Sequence, residues 1–180
     1  SVRQRLEDGV KNPDLETLKS LDGMNQMLLS VGNQRVACLA AAQKAKEIGY
    51  VPYVLSSCID GEAKDAGMFL AGIANEIVET EHPFKRHCVL ISGGETTITI
   101  VGKPELGGPN QETLFGFVKK LRNKKGVVFA CVDTDGTDGP TDIAGGIVDG
   151  YTKDAMKEKD LTFDSIFSNH GTYKALKDLG

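Results

Sequence analysis

Apolar residues in this chain come in short runs, broken by polar stretches rich in glycine. Met27-Leu28-Leu29-Ser30-Val31 reads as a buried strand closed by Gly32-Asn33. Over residues 33–48 the spacing becomes helical, with Val36, Leu39, Ala40, Ala45 and Ile48 on one side, Asn33 as N-cap and Gly49 as C-cap. Residues 50–55 form the next strand, and Pro52 pushes it towards a sheet edge. Asp60-Gly61-Glu62 then turns into a helix over residues 63–78. Strand, helix, strand, helix is the order of a parallel α/β unit. The polar residues 79–86, with Pro83, read as a linker.

Beyond the linker, residues 88–91 are a buried strand and Ser92-Gly93-Gly94-Glu95 its turn. Residues 96–101 alternate hydroxyl and branched apolar side chains, so a hairpin across Gly93-Gly94 is expected. Gly107-Gly108-Pro109-Asn110 is a loop, and Asn110 can cap a helix running to Arg122. That helix ends in Lys119, Lys120, Arg122, Lys124 and Lys125, cations that suit a helix C-terminus. A strand over 126–132, a second over 143–148, a helix over 153–159 and a partly helical 165–179 complete the pattern. At the other end, residues 13–18 make a short helix or turn.

The richest chemistry lies in Asp133-Thr134-Asp135-Gly136-Thr137-Asp138-Gly139-Pro140-Thr141-Asp142, directly after a strand. Ligands of α/β proteins bind at the carboxyl ends of strands, and crowded carboxylates need solvent, hydrogen bonds or a cation. An EF-hand fails, because Asp138 stands where the loop needs glycine and Ala144 where it needs the closing glutamate. Magnesium held through a nucleotide stays open, as does a capped, solvated turn. Ser92-Gly93-Gly94-Glu95-Thr96 could face an anion or be a tight turn, and residues 107–112 could present a helix N-terminus to phosphate or be an ordinary cap. Neither a Walker loop nor a G-x-G-x-x-G fingerprint occurs. His170 has no partner visible in the sequence and reads as structural or exposed, while His82 and His87 lack metal spacing.

Composition narrows the class. The chain has 180 residues, 40% hydrophobic and 26% charged, enough for one good core or two small ones. A net charge of -4 argues against non-specific nucleic-acid binding. No apolar run approaches the roughly 20 residues that span a bilayer, and residues 1–5 carry no signal-peptide core. Cys38, Cys58, Cys88 and Cys131 form no Cys-x-x-Cys, so free thiols and a reducing, cytoplasmic setting are expected. The polar opening over residues 3–18 and the stop after a helix-like stretch suggest a fragment of a larger protein.

In order and spacing, residues 88–97, 107–112 and 134–145 resemble the MOFRL domain of the glycerate 2-kinases, a family once described as hydroxypyruvate reductases. Residues 12–18, 31–33 and 61–63 resemble the tail of that family's N-terminal α/β domain. The resemblance implies an α/β fold: residues 1–85 ending a parallel Rossmann-like domain, and residues 86–180 a MOFRL domain with a mixed sheet, truncated at its C-terminus. It implies ATP-dependent phosphorylation of D-glycerate, or a similar hydroxy acid, on the 2-hydroxyl, with Mg2+. Asp135, Asn110 and Glu112 become the expected catalytic residues, with Asp135 facing the metal. Ser92, Gly93, Gly94, Glu95, Thr96, Gln111, Thr137, Asp138, Thr141 and Asp142 become the expected substrate and nucleotide contacts.

One departure bears on activity. Pro109 stands where the family usually has an arginine, so a bidentate cation is lost there. The missing N-terminal half would be a partner, self-association is expected from unpaired strands, and this chain alone is expected to be inactive. The alternatives are a non-catalytic MOFRL binding or regulatory module and an NAD(P)-linked hydroxypyruvate reductase. Neither nucleic acid nor membrane is expected as a partner.

Overall fold

A computed structural model describes residues 1–122 and 125–180, which fall into two units, Ser1–Val31 and Gly32–Gly180. The first holds a helix the sequence pattern did not announce, α1 (Val2–Lys11). Its polar surface hides it from periodicity, but Ser1 caps it and Arg3 pairs with Glu7 one turn on, at 2.9 Å. Asn12 ends α1 and caps a 3-10 turn, Pro13–Leu15, as expected for that segment. The strand expected over residues 27–31 is absent: Met27, Leu28 and Val31 are exposed, and no described strand pairs with them. An apolar run becomes a strand only where a neighbour takes up its backbone groups.

The second unit opens with α2 (Gln34–Glu47), β1 (Val51–Glu62), α3 (Ala63–Thr80) and β2 (Cys88–Thr97). Asn33 caps α2 by accepting the Val36 N–H at 3.0 Å, as its sequence position promised. The buried side of α2 is the small one, Cys38 and Ala45; of the residues expected to face in, Ala45 does, whereas Val36, Leu39 and Ile48 face outward. β1 and β2 pair in parallel with α3 as the crossover. The expected turn at Asp60-Gly61-Glu62 is instead the end of β1, in register with Glu95, Thr96 and Thr97.

The expected hairpin across Gly93-Gly94 does not form either, because β2 runs through both glycines. Close approach explains them: a Cβ on Gly93 would lie 2.8 Å from Cys38 Sγ of α2, and one on Gly94 2.0 Å from the Ile59 carbonyl of β1. The division expected between residues 85 and 86 lies inside this unit, between the paired strands β1 and β2.

The remaining elements are α4 (Pro109–Lys120), β3 (Val128–Val132), β4 (Gly145–Asp149), α5 (Thr152–Glu158), α6 (Phe163–Asn169) and α7 (Thr172–Leu179). β3 and β4 pair antiparallel as a separate sheet, so the mixed sheet expected over residues 86–180 is replaced by two sheets, with β2 in the parallel pair and β3 and β4 in the antiparallel one. The Rossmann-like part is not in this chain. No described helix is long and apolar enough to cross a membrane.

α4 is the centre of the core, buried from Gln111 to Val118, with Phe117 stacked on Phe129 of β3 at 4.2 Å. α3 and α4 approach backbone to backbone: a Cβ on Gly67 would meet the Thr113 carbonyl at 2.0 Å, and one on Gly116 the Lys64 carbonyl at 2.1 Å. A buried helix cannot leave its terminal groups to water, and distant side chains serve both ends. At the C-terminus, Asn75 donates to the Lys120 carbonyl at 3.1 Å and accepts from the Arg122 N–H at 2.9 Å, while Lys153 Nζ donates to the Leu121 carbonyl at 2.8 Å. Lys119 and Lys120 lie in the last turn as expected, whereas Lys124 of the basic run lies outside the described residues.

Candidate active site at the start of α4

The N-terminus of α4 gathers Asn110, Gln111, Glu112, Asp138 and Thr141 of the expected site residues. Its N-cap is Gly108, which has no side chain, and Asn110 does not cap it as expected. The cap comes from Asp138, in the acidic loop between β3 and β4. Its Oδ1 accepts from Asn110 N and Nδ2, both at 3.0 Å, and its Oδ2 from Gln111 N at 2.9 Å. Asp138 is 0% exposed. A carboxylate on free N–H groups at a helix start is favoured by both hydrogen bonding and the helix dipole. Gly108 is required by this contact, since a Cβ there would lie 2.3 Å from Asp138 Cγ.

The loop is itself tied back. Asp133 N donates to the Ala144 carbonyl at 2.6 Å and Asp138 N to the Ile143 carbonyl at 2.8 Å. Thr141 Oγ1 donates to the Asp138 carbonyl at 2.7 Å and accepts from Gln111 Nε2 at 3.1 Å. Asn110 Oδ1 accepts from the Cys131 thiol at 3.0 Å. Burial, with Asp138 beside it, pushes that thiol up to about 12, so Cys131 stays neutral.

Two layers result. Gln111, Glu112, Asp138 and Thr141 are buried, and Gln111, Asp138 and Thr141 turn their polar atoms to one another. Asp135, Thr137 and Asp142 are exposed on the outer side of the loop, and Asn110 is half-buried between the layers. Asp135 Oδ1 accepts from Thr137 N at 2.9 Å. The Tyr173 hydroxyl donates to Asp142 at 2.6 Å and holds that carboxyl below its ordinary value. Ser92 and Glu95 are exposed, whereas Gly93, Gly94 and Thr96 are half-buried, and all five lie within β2. No group of three or more His, Cys, Asp or Glu among the described residues could hold a metal ion.

Sequence reasoning missed the third side of the site. Of the two readings of His170, structural or exposed, the structural one holds: it is 7% accessible, and its Nδ1 lies 2.6 Å from Glu112 Oε1. Burial raises the Glu112 carboxyl above its ordinary value, against the opposing pull of His170 and Lys64. Thr172 Oγ1 donates to Gln111 Oε1 at 3.4 Å. These partners lie 58 and 61 residues from α4's first turn, and no local pattern marks them. Lys64 sits at the start of α3, with its Nζ 3.6 Å from Glu62 Oε1.

Comparison with known proteins identifies the family. Residues 88–180 match the MOFRL family. Over its whole length the chain is 42% identical to the glycerate 2-kinase of Pyrococcus horikoshii, of which it covers 40%. A crystal structure of a protein from the same organism superposes with a TM-score of 0.81 at 41% identity, over 99% of this chain and 41% of that one. A glycerate kinase structure from Thermotoga maritima does so with a TM-score of 0.80 at 34% identity, over 97% of this chain and 44% of that one. The chain thus spans about two fifths of the length of these relatives, as a C-terminal portion. It belongs to the MOFRL family.

Proposed function

We propose that this chain is the C-terminal portion of an ATP-dependent kinase that phosphorylates D-glycerate on its 2-hydroxyl. The observation that carries the reading is 42% identity, over every residue of the chain, to a protein named glycerate 2-kinase. The geometry fits such chemistry: phosphoryl transfer is mostly positioning and charge neutralisation, and this chain builds a rigid platform at a helix start. Asn110, Asp135, Thr137 and Asp142, with Ser92 and Glu95 on β2, are the groups placed to meet ligands. Of these, Asn110 is held by Asp138, which is itself tied to Gln111 and Thr141.

Asp135 presents an exposed carboxylate, sufficient for a magnesium ion that reaches the protein largely through a nucleotide's phosphates. Such an ion would neutralise phosphate charge. Pro109 offers neither cation nor N–H, and Lys64 is a basic side chain close enough to Glu112 to act on its charge. The division into residues 1–85 and a MOFRL domain from residue 86 is part of the same proposal, supported by a family match that begins at Cys88. A cytoplasmic setting is too, supported by four free cysteines. The reductase and the non-catalytic module are not favoured by the relatives from Pyrococcus horikoshii and Thermotoga maritima, which are named glycerate 2-kinase and D-glycerate 2-kinase.

The test is a chimera joining this chain to the part of the Pyrococcus relative that precedes its match. With ATP, magnesium and D-glycerate, 2-phosphoglycerate and ADP should form in equal amounts. A folded chimera that forms neither would refute the proposal.

A further inference from the structure

We propose that His170 is a positioning residue: its ring, bonded to buried Glu112, latches the corner between α6 and α7 onto the loop before α4 and so sets Asn110 for the acceptor substrate. The last clause rests on the kinase reading above; the latch itself does not.

The corner grips the loop along its length. Glu105 N donates to the Asn169 carbonyl at 2.7 Å, and Tyr173 N to the Leu106 carbonyl at 3.1 Å. Gly107 is so close that a Cβ there would lie 2.4 Å from both the His170 carbonyl and Thr172 Oγ1. His170 Nδ1 reaches Glu112 Oε1 at 2.6 Å, and Thr172 reaches Gln111. Asp138 fixes the same turn of α4 from the acidic loop. Asn110 thus stands between two clamps from separate elements, as a group that must be held to a fraction of an ångström requires.

The backbone at residue 170 makes the side chain the reason for its presence. His170 sits at φ 54, ψ 29, a left-handed position that favours glycine. The glycine of this corner is instead Gly171, at φ -83. A histidine there meets a poor backbone in exchange for a ring that reaches α4. Glu112 Oε2 is buried without a hydrogen-bond partner, so the His170 bond is the side-chain contact that orients this carboxyl among the described residues.

His170→Gly separates ring from backbone, because glycine suits the conformation. In the 180-residue chain, exchange of the Asn110–Thr113 amides should quicken about tenfold relative to those of α3. Glu112→Gln keeps a partner for Nδ1 and should retain slow exchange. In the chimera, His170→Gly should raise KM for D-glycerate about tenfold and leave KM for ATP unchanged; loss of folded enzyme alone lowers kcat and moves neither. Unchanged exchange in His170→Gly would overturn the latch, as would exchange in Glu112→Gln as fast as in His170→Gly. Faster exchange with an unmoved KM for D-glycerate would overturn the positioning role. A wild-type chimera without turnover would remove the kinase reading and with it the substrate clause, while exchange still judges the latch.

Discussion

Replacing Asp138 separates the two things a buried carboxylate can do here. Asp138→Ala strips the acceptor from three donors: Asn110 N, Asn110 Nδ2 and Gln111 N. Gly108 has no side chain to substitute, and Asp138 itself is fully buried. Losing an N-cap acceptor costs about 0.5–2 kcal/mol, and each buried donor left unpaired about 1–3 kcal/mol. Partial relaxation of the loop recovers some of this, so about 4 kcal/mol is expected for Asp138→Ala. Asp138→Asn keeps one oxygen for Asn110 but turns an NH2 towards Gln111 N–H, for a cost of about 2 kcal/mol. With a slope of about 2 kcal/mol per molar urea, the midpoints should fall by about 2 M and 1 M. Urea unfolding of the chain, followed by circular dichroism, reads this directly. Were Asp138 held for a ligand instead, its removal would cost little. An Asp138→Ala midpoint within about 0.5 M of wild type refutes the remote cap.

Three further outcomes follow from the same structure. Gly116→Ala should destabilise by at least about 2 kcal/mol in the same assay, because its Cβ would lie 2.1 Å from the Lys64 backbone carbonyl. Burial raises the Glu112 carboxyl above 4.5, so the folded state holds its proton more tightly than the unfolded state; that stability is full below the unfolded value and is lost as pH rises through the folded one. Wild type should therefore lose ground to Glu112→Gln as pH climbs from 4.5, measured by unfolding across pH, with His170, Lys64 and Glu62 the titratable neighbours of that carboxyl. Iodoacetamide at pH 8 should label exposed Cys58 well before Cys131, whose thiol is held neutral; mass spectrometry of the digest reports the order.

How much was legible depended on whether the cause was local. α2, α3 and α4 announced themselves through spacing and flanking glycines, and Asn33 capped α2 as its position promised. β2 was cut short in the sequence reading because Gly93-Gly94 looks like a turn; only the Cys38 thiol and the Ile59 carbonyl show that close approach demands those glycines. The inner side of α2 differs from its apolar spacing for a related reason. Bulky Val36 and Leu39 cannot come as near β2 as Cys38 does, so the small residues face in. In the site, Asp138 and Thr141 were picked out by composition, but their bonds to Asn110 and Gln111 span 27 to 30 residues. His170 stood out as a lone histidine, but its partner Glu112 lies on another helix, 58 residues away, and no local pattern marks it.

On the proposed kinase reading, D-glycerate would meet the protein at the start of α4 and the adjoining acidic loop. Hydrogen exchange of the chimera, with and without saturating D-glycerate and magnesium nucleotide, tests it most directly. The account predicts slowed exchange in peptides covering residues 105–113 and 133–142. Protection confined to other parts of the chain, in a chimera that turns over, would contradict it.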